Sequence, residues 1–592
     1  KPLELRVDTQ GLVDWDALRP WQYAYLAHLD EDTAAWEPLP SRREGTLLVG
    51  SLEHLSTIGG GAGNQESGCW LLSFNDAHVS TFNGGLTYEY PIELPEGRGG
   101  LTPDLRLSYN SRRVDGLVTW IQSDWVGLGW TLDTMEIVRY VQPDYELDYY
   151  LCPQWRSGRF YYYGPNNFTL KYKGTSYTLT PAQGGAAGRS GRYYLEDEQF
   201  LYVERRNPKG GDNTAPNTTK EYWLVRLRDG TEYRLGFTED SEQVVPSNLY
   251  TDTDPNEWYL YAGEVAGTVA FRWRVDRIQD VRGNKIEFSY YDNEAPICGP
   301  SREVASYLSE VRYNYWSDTA RNRVRFTRED RSLDSVQDTW SGTDCGTCRP
   351  FRQKDYLKSI QVEYSSNGSS WQLVREYLLT YDKRVPDPGY DNRTRRLASI
   401  RQYSKNGIGG GEALPATTFA YEVKDNKGVA ESGSSWDRTS FRYERLSEIN
   451  NGYGGVITAT YATFDEGHWH GFNYFVFEKR VHDGQGGGYR LAYSYDPKTW
   501  NRGYENNTTY GCEYFLPISK TGGSLVGYRF VTETLKSYDG VSTISVITHE
   551  FKLNTEASPS RALGRELIQG KLDGSGTKLQ STATTWMTAT GT

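Results

Sequence analysis

The strongest constraint on this chain is its punctuation. In WLVRLRDGTEYRLGF (residues 223–237), Trp223, Val225 and Leu227 alternate with Leu224, Arg226 and Arg228 before an Asp229-Gly230 turn signal. Period-two alternation broken by Asp-Gly reads as a hairpin, with a type I′ turn expected at the dipeptide. Similar signals stand at residues 405–407, 450–455, 482–488, 538–540 and 572–574. Long helical periodicity is absent. The 46 Tyr and 18 Trp suit pleated, half-buried surfaces, and 61 Gly suit many tight turns. An almost wholly β protein follows, and 592 residues exceed one ordinary core.

A second pattern recurs at intervals of about 40 to 50 residues. YLSEV (307–311), YLKSI (356–360), RLASI (396–400) and RLSEI (445–449) share one form, each opening a strand that a second strand follows. A repeated hairpin buries its faces against its neighbours. The uneven spacing favours one long curling sheet over a propeller. The first 58 residues give short strands with turns near DEDT and RREG, too few for both layers of a sandwich, so a partial β-sandwich is expected. GGGAGNQESG (59–68) reads as part of a Gly-rich linker over 59–81.

Formal net charge is −12, which argues against a nucleic-acid partner. No apolar run is long enough for a helical membrane span. The chain begins at Lys1 and is expected to be a processed or truncated piece of a longer protein. Six cysteines are too sparse for a disulfide scaffold. Cys345 and Cys348 form a CxxC in a loop, read as a disulfide, internal or to Cys298; a zinc site would need two further ligands. Sequons at Asn167, Asn217, Asn367, Asn392, Asn506 and Asn507 are candidate glycosylation sites in a secreted protein.

Chemistry-bearing motifs are thin. His468 and His470 could face one side of a strand and hold a metal, but no third ligand is identifiable. Asp252, Asp254 and Asn256 mimic the start of a calcium loop, yet Glu257 and Gly263 stand where Gly and Glu belong. These five residues are weak metal candidates only, and no cofactor is expected. Glu196-Asp197-Glu198 mimics a transferase ExE but lacks its Ser-Thr-Ser partner. No nucleophile elbow, phosphate loop or HExxH occurs. The run from Tyr161 to Tyr163 could stack on sugars, although sheet tyrosines usually fill cross-strand pairs.

Several stretches resemble the RHS/YD-repeat family. WRVDRIQDVRGNKIEFSYYD (273–292) looks like a divergent YD repeat. PIELPEGRGGLTPDLRLSYNS (91–111), followed by VGLGWTL (126–132), resembles the start of the SpvB-like region of insecticidal toxin complex B components and large bacterial RHS proteins. LSEINNGYGGVITATYA (446–462) resembles that family's middle, and GYRFVTETLKSYDG (527–540) with ALGRELIQGKLDGSGTKLQSTATTW (562–586) resembles the junction with its repeats. The inserted propeller, regular YD array, self-cleaving motif and toxin domain of such proteins are missing.

The resemblance implies an SpvB-like β-shell over 82–520 and the start of an RHS repeat region over 521–592. It implies that PIEL and LRLSYN are the first rungs of the shell, with GLGW beneath. Residues 82–592 are then expected to form one continuous sheet with an open C-terminal edge, covered by the C-terminal remainder of the precursor or by other copies or subunits. The implied role is a non-enzymatic, secreted or cell-surface scaffold that encloses or displays an effector. The alternative is a teneurin-like adhesion or carbohydrate-binding module with glycan partners.

Overall fold

The computed structural model describes residues 3–8, 22–30, 35–39, 41–44, 47–52, 58–64, 76–115, 123–139, 141–143, 160–162, 168–182, 191–195, 199–206, 215–246, 268–295, 302–330, 355–382, 395–426, 441–462, 474–484, 487–495, 528, 530–551 and 565–584. The chain divides into two units, Lys1–Asn75 and Asp76–Thr592.

The first unit holds two three-stranded antiparallel sheets. In one, Leu47–Leu52 lies between Leu3–Asp8 and Ser41–Glu44. In the other, Gln22–Asp30 lies between Ala35–Leu39 and Ile58–Asn64. The glycines of IGGGAGN, expected as linker, are therefore a strand. A ladder is made by backbone groups, which glycine supplies as well as any residue.

The second unit is built on a 24-stranded antiparallel sheet, running in order from Glu136–Arg139 to Lys578–Ala583. Its hairpins pair in sequence, as the recurring units suggested. Its beginning is not an open curl. The strands Glu136–Arg139, Phe168–Tyr172, Thr175–Pro181, Gly191–Leu195, Tyr202–Arg206, Tyr222–Arg226, Glu232–Leu235 and Thr268–Gln279 form a ring, because Glu136–Val138 pair back onto Arg272–Arg274. This is a closed barrel, and Thr268–Gln279 is its branch point: Arg277–Gln279 also pair with Lys285–Glu287, which starts the open sheet.

Alternation decides what fills the barrel. Ile137, Phe168, Leu170, Leu179, Tyr193, Val203, Trp223, Val225, Leu235 and Trp273 are all buried. Among them sits an ion cluster: Arg205 donates to Glu221 at 2.8 Å, and Arg139 lies 3.7 Å from the same carboxylate. Both guanidinium groups stack over Phe168. A buried charge is tolerable only with partners of this kind.

The Asp229-Gly230 hairpin forms, with a different turn. Gly230 N–H donates to Leu227 O and Leu227 N–H to Thr231 O, which makes a three-residue loop instead of type I′. Gly230 takes φ +85°, and Asp229 Oδ1 accepts from Thr231 N–H. One left-handed residue and a side-chain acceptor suffice there, and the hairpin keeps its twist.

The recurring Leu units acquire a physical meaning. Leu308, Leu357, Leu397 and Leu446, each at most 4% exposed, sit opposite Tyr290, Arg328, Tyr381 and Tyr421. At each place the ladder skips one residue, namely Ser309, Lys358, Ala398 and Ser447. Such bulges increase local twist. The tyrosine hydroxyls then reach back one unit: Tyr381 donates to Leu357 O, Tyr421 to Leu397 O and Tyr461 to Leu446 O, at 2.7 to 2.8 Å. Arg328 breaks the series; it stacks over Tyr291 and pairs with Asp355 at 2.6 Å.

Tyr461→Phe is expected to cost about 1 kcal/mol, the net value of one hydrogen bond. Tyr421→Phe should cost more, because Tyr421 also accepts from buried Trp130 Nε1. Urea denaturation midpoints of the two variants test the order.

Candidate functional site

The opening segment is the feature that the rest of the second unit is arranged around. Leu86–Pro91 pairs with Arg106–Asn110, so a hairpin forms here, but its first strand is LTYEYP and only Pro91 of PIEL lies in the ladder. These strands do not start the large sheet. With His78–Val79 and Trp130–Leu132 they make a separate four-stranded sheet. The expectation of one continuous sheet from residue 82 is corrected accordingly. The reason lies in side chains: Leu86, Tyr88, Leu107, Tyr109 and Trp130 are buried, so this small sheet packs an apolar face and cannot be a solvated edge.

What it packs against is spread along the large sheet. Pro95 O accepts from Tyr313 OH at 2.9 Å, and Glu93 N–H donates to Tyr377 OH at 3.1 Å. Trp125 O accepts from Leu357 N–H, and Leu128 N–H donates to Arg395 O. Trp130 lies within 6.1 Å, centroid to centroid, of Tyr88, Tyr109 and Phe419. Tyr109 OH accepts from Leu446 N–H at 2.9 Å. Further on, Gly84 O accepts from Val476 N–H and Phe82 O from Tyr528 N–H. Residues 76–115 and 123–132 are thus a buttress that bridges strands from Arg302–Trp316 to Thr543–Phe551, where Phe82 meets Phe551.

The PEGRGGLTP segment explains its breakers here. Gly99 and Gly100 have φ of +68° and +84°, which turn the chain back after Arg98 has stacked over Trp316. Close approach imposes a second glycine: a Cβ on Gly84 would stand 2.3 Å from Phe475 Cβ.

Two ion pairs anchor the buttress. Asp115, closing the short helix Ser111–Asp115, accepts from Arg445 Nε at 3.0 Å and from Arg112 at 2.7 Å. Arg445 is fully buried. Asp76 accepts from Lys479 Nζ and Tyr489 OH, both at 2.8 Å. Arg112 lies three residues from Asp115, but neither distant base was legible, since more than 300 residues separate Asp115 from Arg445 and Asp76 from Lys479 and no local pattern marks an acid for a distant base.

Two carboxyls beside the barrel are displaced from their ordinary range. Burial pushes Glu242 up to about 7, against hydrogen bonds from Thr219 that work the other way. Burial likewise pushes Asp276 up to about 6, opposed by Arg234 and Phe237 N–H. Between its unfolded value and its folded one, the native state of each holds a proton that the unfolded chain has released. Stability from these groups is therefore present at low pH and lost as pH rises to about 7. Glu242→Gln should be more stable than wild type at pH 8, by up to about 3 kcal/mol, and little different at pH 5. Melting temperatures at both values check this.

The sequence candidates scatter. His468, His470, Asp252, Asp254, Asn256, Cys298, Cys345, Cys348, Asn167, Asn392, Asn506, Asn507 and the triplet Glu196-Asp197-Glu198 lie outside the described residues. Tyr161 belongs to the strand Phe160–Tyr162, while Tyr163 lies outside the described residues. Asn367 is exposed, its Oδ1 accepting from Ser369 and Ser370 N–H. Asn217 is corrected: its side chain is fully buried and its Nδ2 donates to Glu221 O and Gly236 O, so the folded chain has no room for a glycan there. Among the described residues no group of three or more His, Cys, Asp or Glu is placed to hold a metal. No helix among them is long and apolar enough to cross a membrane, which does not bear on strands.

No curated protein matches this chain. Among solved structures, the N-terminal domain of effector protein SpvB from Salmonella typhimurium strain LT2 is 16% identical with a TM-score of 0.33, over 53% of this chain and 98% of that one. The crystal structure of TcdB2-TccC3-Cdc42 is 14% identical, TM-score 0.35, over 83% of this chain and 26% of that one. The Photorhabdus luminescens Tc holotoxin pore with a TccC3 variant is 14% identical, TM-score 0.35, over 86% of this chain and 24% of that one. This chain thus spans about a quarter of each of those two. A family model described as Salmonella virulence plasmid 65kDa B protein matches residues 80–163, which take in most of the buttress, and over that segment the chain is similar to this family.

Proposed function

We propose that this chain is a non-enzymatic scaffold segment of a toxin-related protein, secreted, and built to enclose or display an effector carried on another part of the same assembly. The observation that carries the reading is the buttress. Its buried charge, Asp115 with Arg445, and its hydroxyl contacts are all engaged in bridging strands. The family match falls on the same residues. A long sheet of sequential hairpins with one crossing support is an economical way to wall off a volume, because nearly every strand edge is paired by its neighbour in sequence.

The last strand, Lys578–Ala583, pairs with Glu566–Asp573, and on its other edge no partner strand is found among the described residues. All six of its residues are exposed. An edge of this kind invites another strand, and the proposal assigns that place to a further part of the precursor or to another subunit.

The test is protection of a passenger. An unstructured, protease-sensitive reporter fused after Thr592 should be cleaved at least tenfold more slowly than the same reporter fused to an unrelated β domain of similar size. Equal cleavage rates would sink the enclosure reading. A glycan array gives the other arm: specific binding lost on changing Tyr161 to Ser would favour the adhesion module instead.

A further inference from the structure

The outer face of the barrel carries residues that neither the core nor the buttress uses. Because Tyr193, Leu195, Val203, Trp223 and Val225 are buried inside the barrel, alternation turns Arg192, Tyr194, Tyr202 and Arg226 outward. Register brings them together: Arg192 lies opposite Glu204, and Tyr202 opposite Arg226. The Arg192 guanidinium sits over the rings of Tyr194 at 4.7 Å and Tyr202 at 5.0 Å, and Arg226 over Tyr202 at 5.6 Å. At one end of the same face Arg228 covers Phe200 at 4.1 Å.

Three features set this face apart from an ordinary solvated sheet. Phe200 is 65% exposed and Tyr194 40%, on a surface where large aromatics would be expected inside. Phe200 also holds φ +57°, a conformation that a bulky side chain adopts only at a cost of order 1 kcal/mol or more. The buried Leu201 beside it fixes that presentation. Finally, charge is unbalanced. Arg226 pairs with Glu232 and Arg206 with Glu204, whereas Arg192 and Arg228 have no carboxylate within ion-pair distance among the described residues. A guanidinium that contacts a ring through its face keeps its N–H donors for a carboxylate.

We infer that the barrel face formed by Arg192, Tyr194, Phe200, Tyr202, Arg226 and Arg228 is a docking surface for an acidic polypeptide segment that also carries aromatic or apolar side chains. The two arginines without acids supply carboxylate contacts, and the exposed rings supply the apolar area. Arginine with aromatic residues is the combination that dominates binding energy at protein interfaces. The overall charge of −12 disfavours a dense polyanion such as nucleic acid or a sulfated glycan, which the whole molecule would repel. A short segment of mixed character meets only the local patch. This inference is independent of the scaffold reading.

The probe is an immobilised random copolymer of glutamate and tyrosine, with polyglutamate and heparin for comparison, and the full chain in solution at 50 and 150 mM salt. The copolymer should bind more tightly than polyglutamate or heparin. Arg192→Ala with Arg228→Ala should weaken binding at least tenfold. Phe200→Asn should weaken it at least threefold while leaving the melting temperature equal or higher, since Asn accepts the left-handed backbone that Phe resists. Variants that bind like wild type would overturn the inference, as would failure to bind the copolymer. Tighter binding to heparin, lost in the same variants, would overturn it in favour of an anionic glycan.

Discussion

Asp115→Ala is expected to lower the stability of the second unit by about 3 to 5 kcal/mol, the usual consequence of removing one partner of a buried ion pair. Arg445 is fully buried and donates from Nε and Nη2 to Asp115 Oδ1. Without that carboxylate its charge stays in a low-dielectric site walled by Tyr474, over which it stacks at 4.1 Å. The double variant Asp115→Leu with Arg445→Met should recover most of the loss, because it removes the charge with its partner. Chemical denaturation followed by tryptophan fluorescence measures both. A loss below about 1 kcal/mol for the single variant would mean that other groups around Arg445 hold its charge without Asp115.

The second large effect is expected at Trp130. Its indole is fully buried, contacts three aromatic rings and donates to Tyr421 OH at 2.9 Å. Trp130→Ala should cost about 3 to 5 kcal/mol through the cavity and the lost contacts. Its location makes the failure specific. The buttress should come away before the barrel, whose own tryptophans Trp223 and Trp273 lie in a separate core. Limited proteolysis of the variant is expected to cut within residues 76–132 while the barrel stays intact. Simultaneous cutting throughout the second unit would show that barrel and buttress are one cooperative block.

The difference between what could and could not be read from the sequence follows from distance. The Leu units and the Asp-Gly hairpin were legible because strand, turn and return strand lie within about thirty residues, and side-chain alternation reports on each. Barrel closure was not, because Glu136–Val138 find Arg272–Arg274 across some 130 residues without any local mark. The buttress was misassigned for a related reason: the alternation marks LRLSYN as a strand, but its partner is LTYEYP rather than PIEL, and nothing local shows which sheet the hairpin joins. Tyr381, Tyr421 and Tyr461 look alike in sequence to any strand tyrosine. Only the bulges opposite them reveal that their hydroxyls clamp the preceding unit. Asn217 shows the converse, a motif legible as a string and refuted by burial.

The order in which the chain leaves the ribosome gives the buttress a further consequence. Trp130 and the hydroxyl that receives its N–H are 291 residues apart, and Asp115 precedes Arg445 by 330. At typical synthesis rates the opening segment waits roughly 15 to 60 seconds for its binding surface to exist. During that interval Tyr88, Tyr109 and Trp130 have only one another and lack Phe419, Tyr421 and Leu446 of the large sheet, while the barrel, complete by Gln279, can already have closed. High contact order of this kind makes folding slow and aggregation-prone. Nascent chains arrested between residues 300 and 400 should therefore recruit holdase chaperones through the opening segment, and release them only after the strand Phe441–Asn450 has emerged.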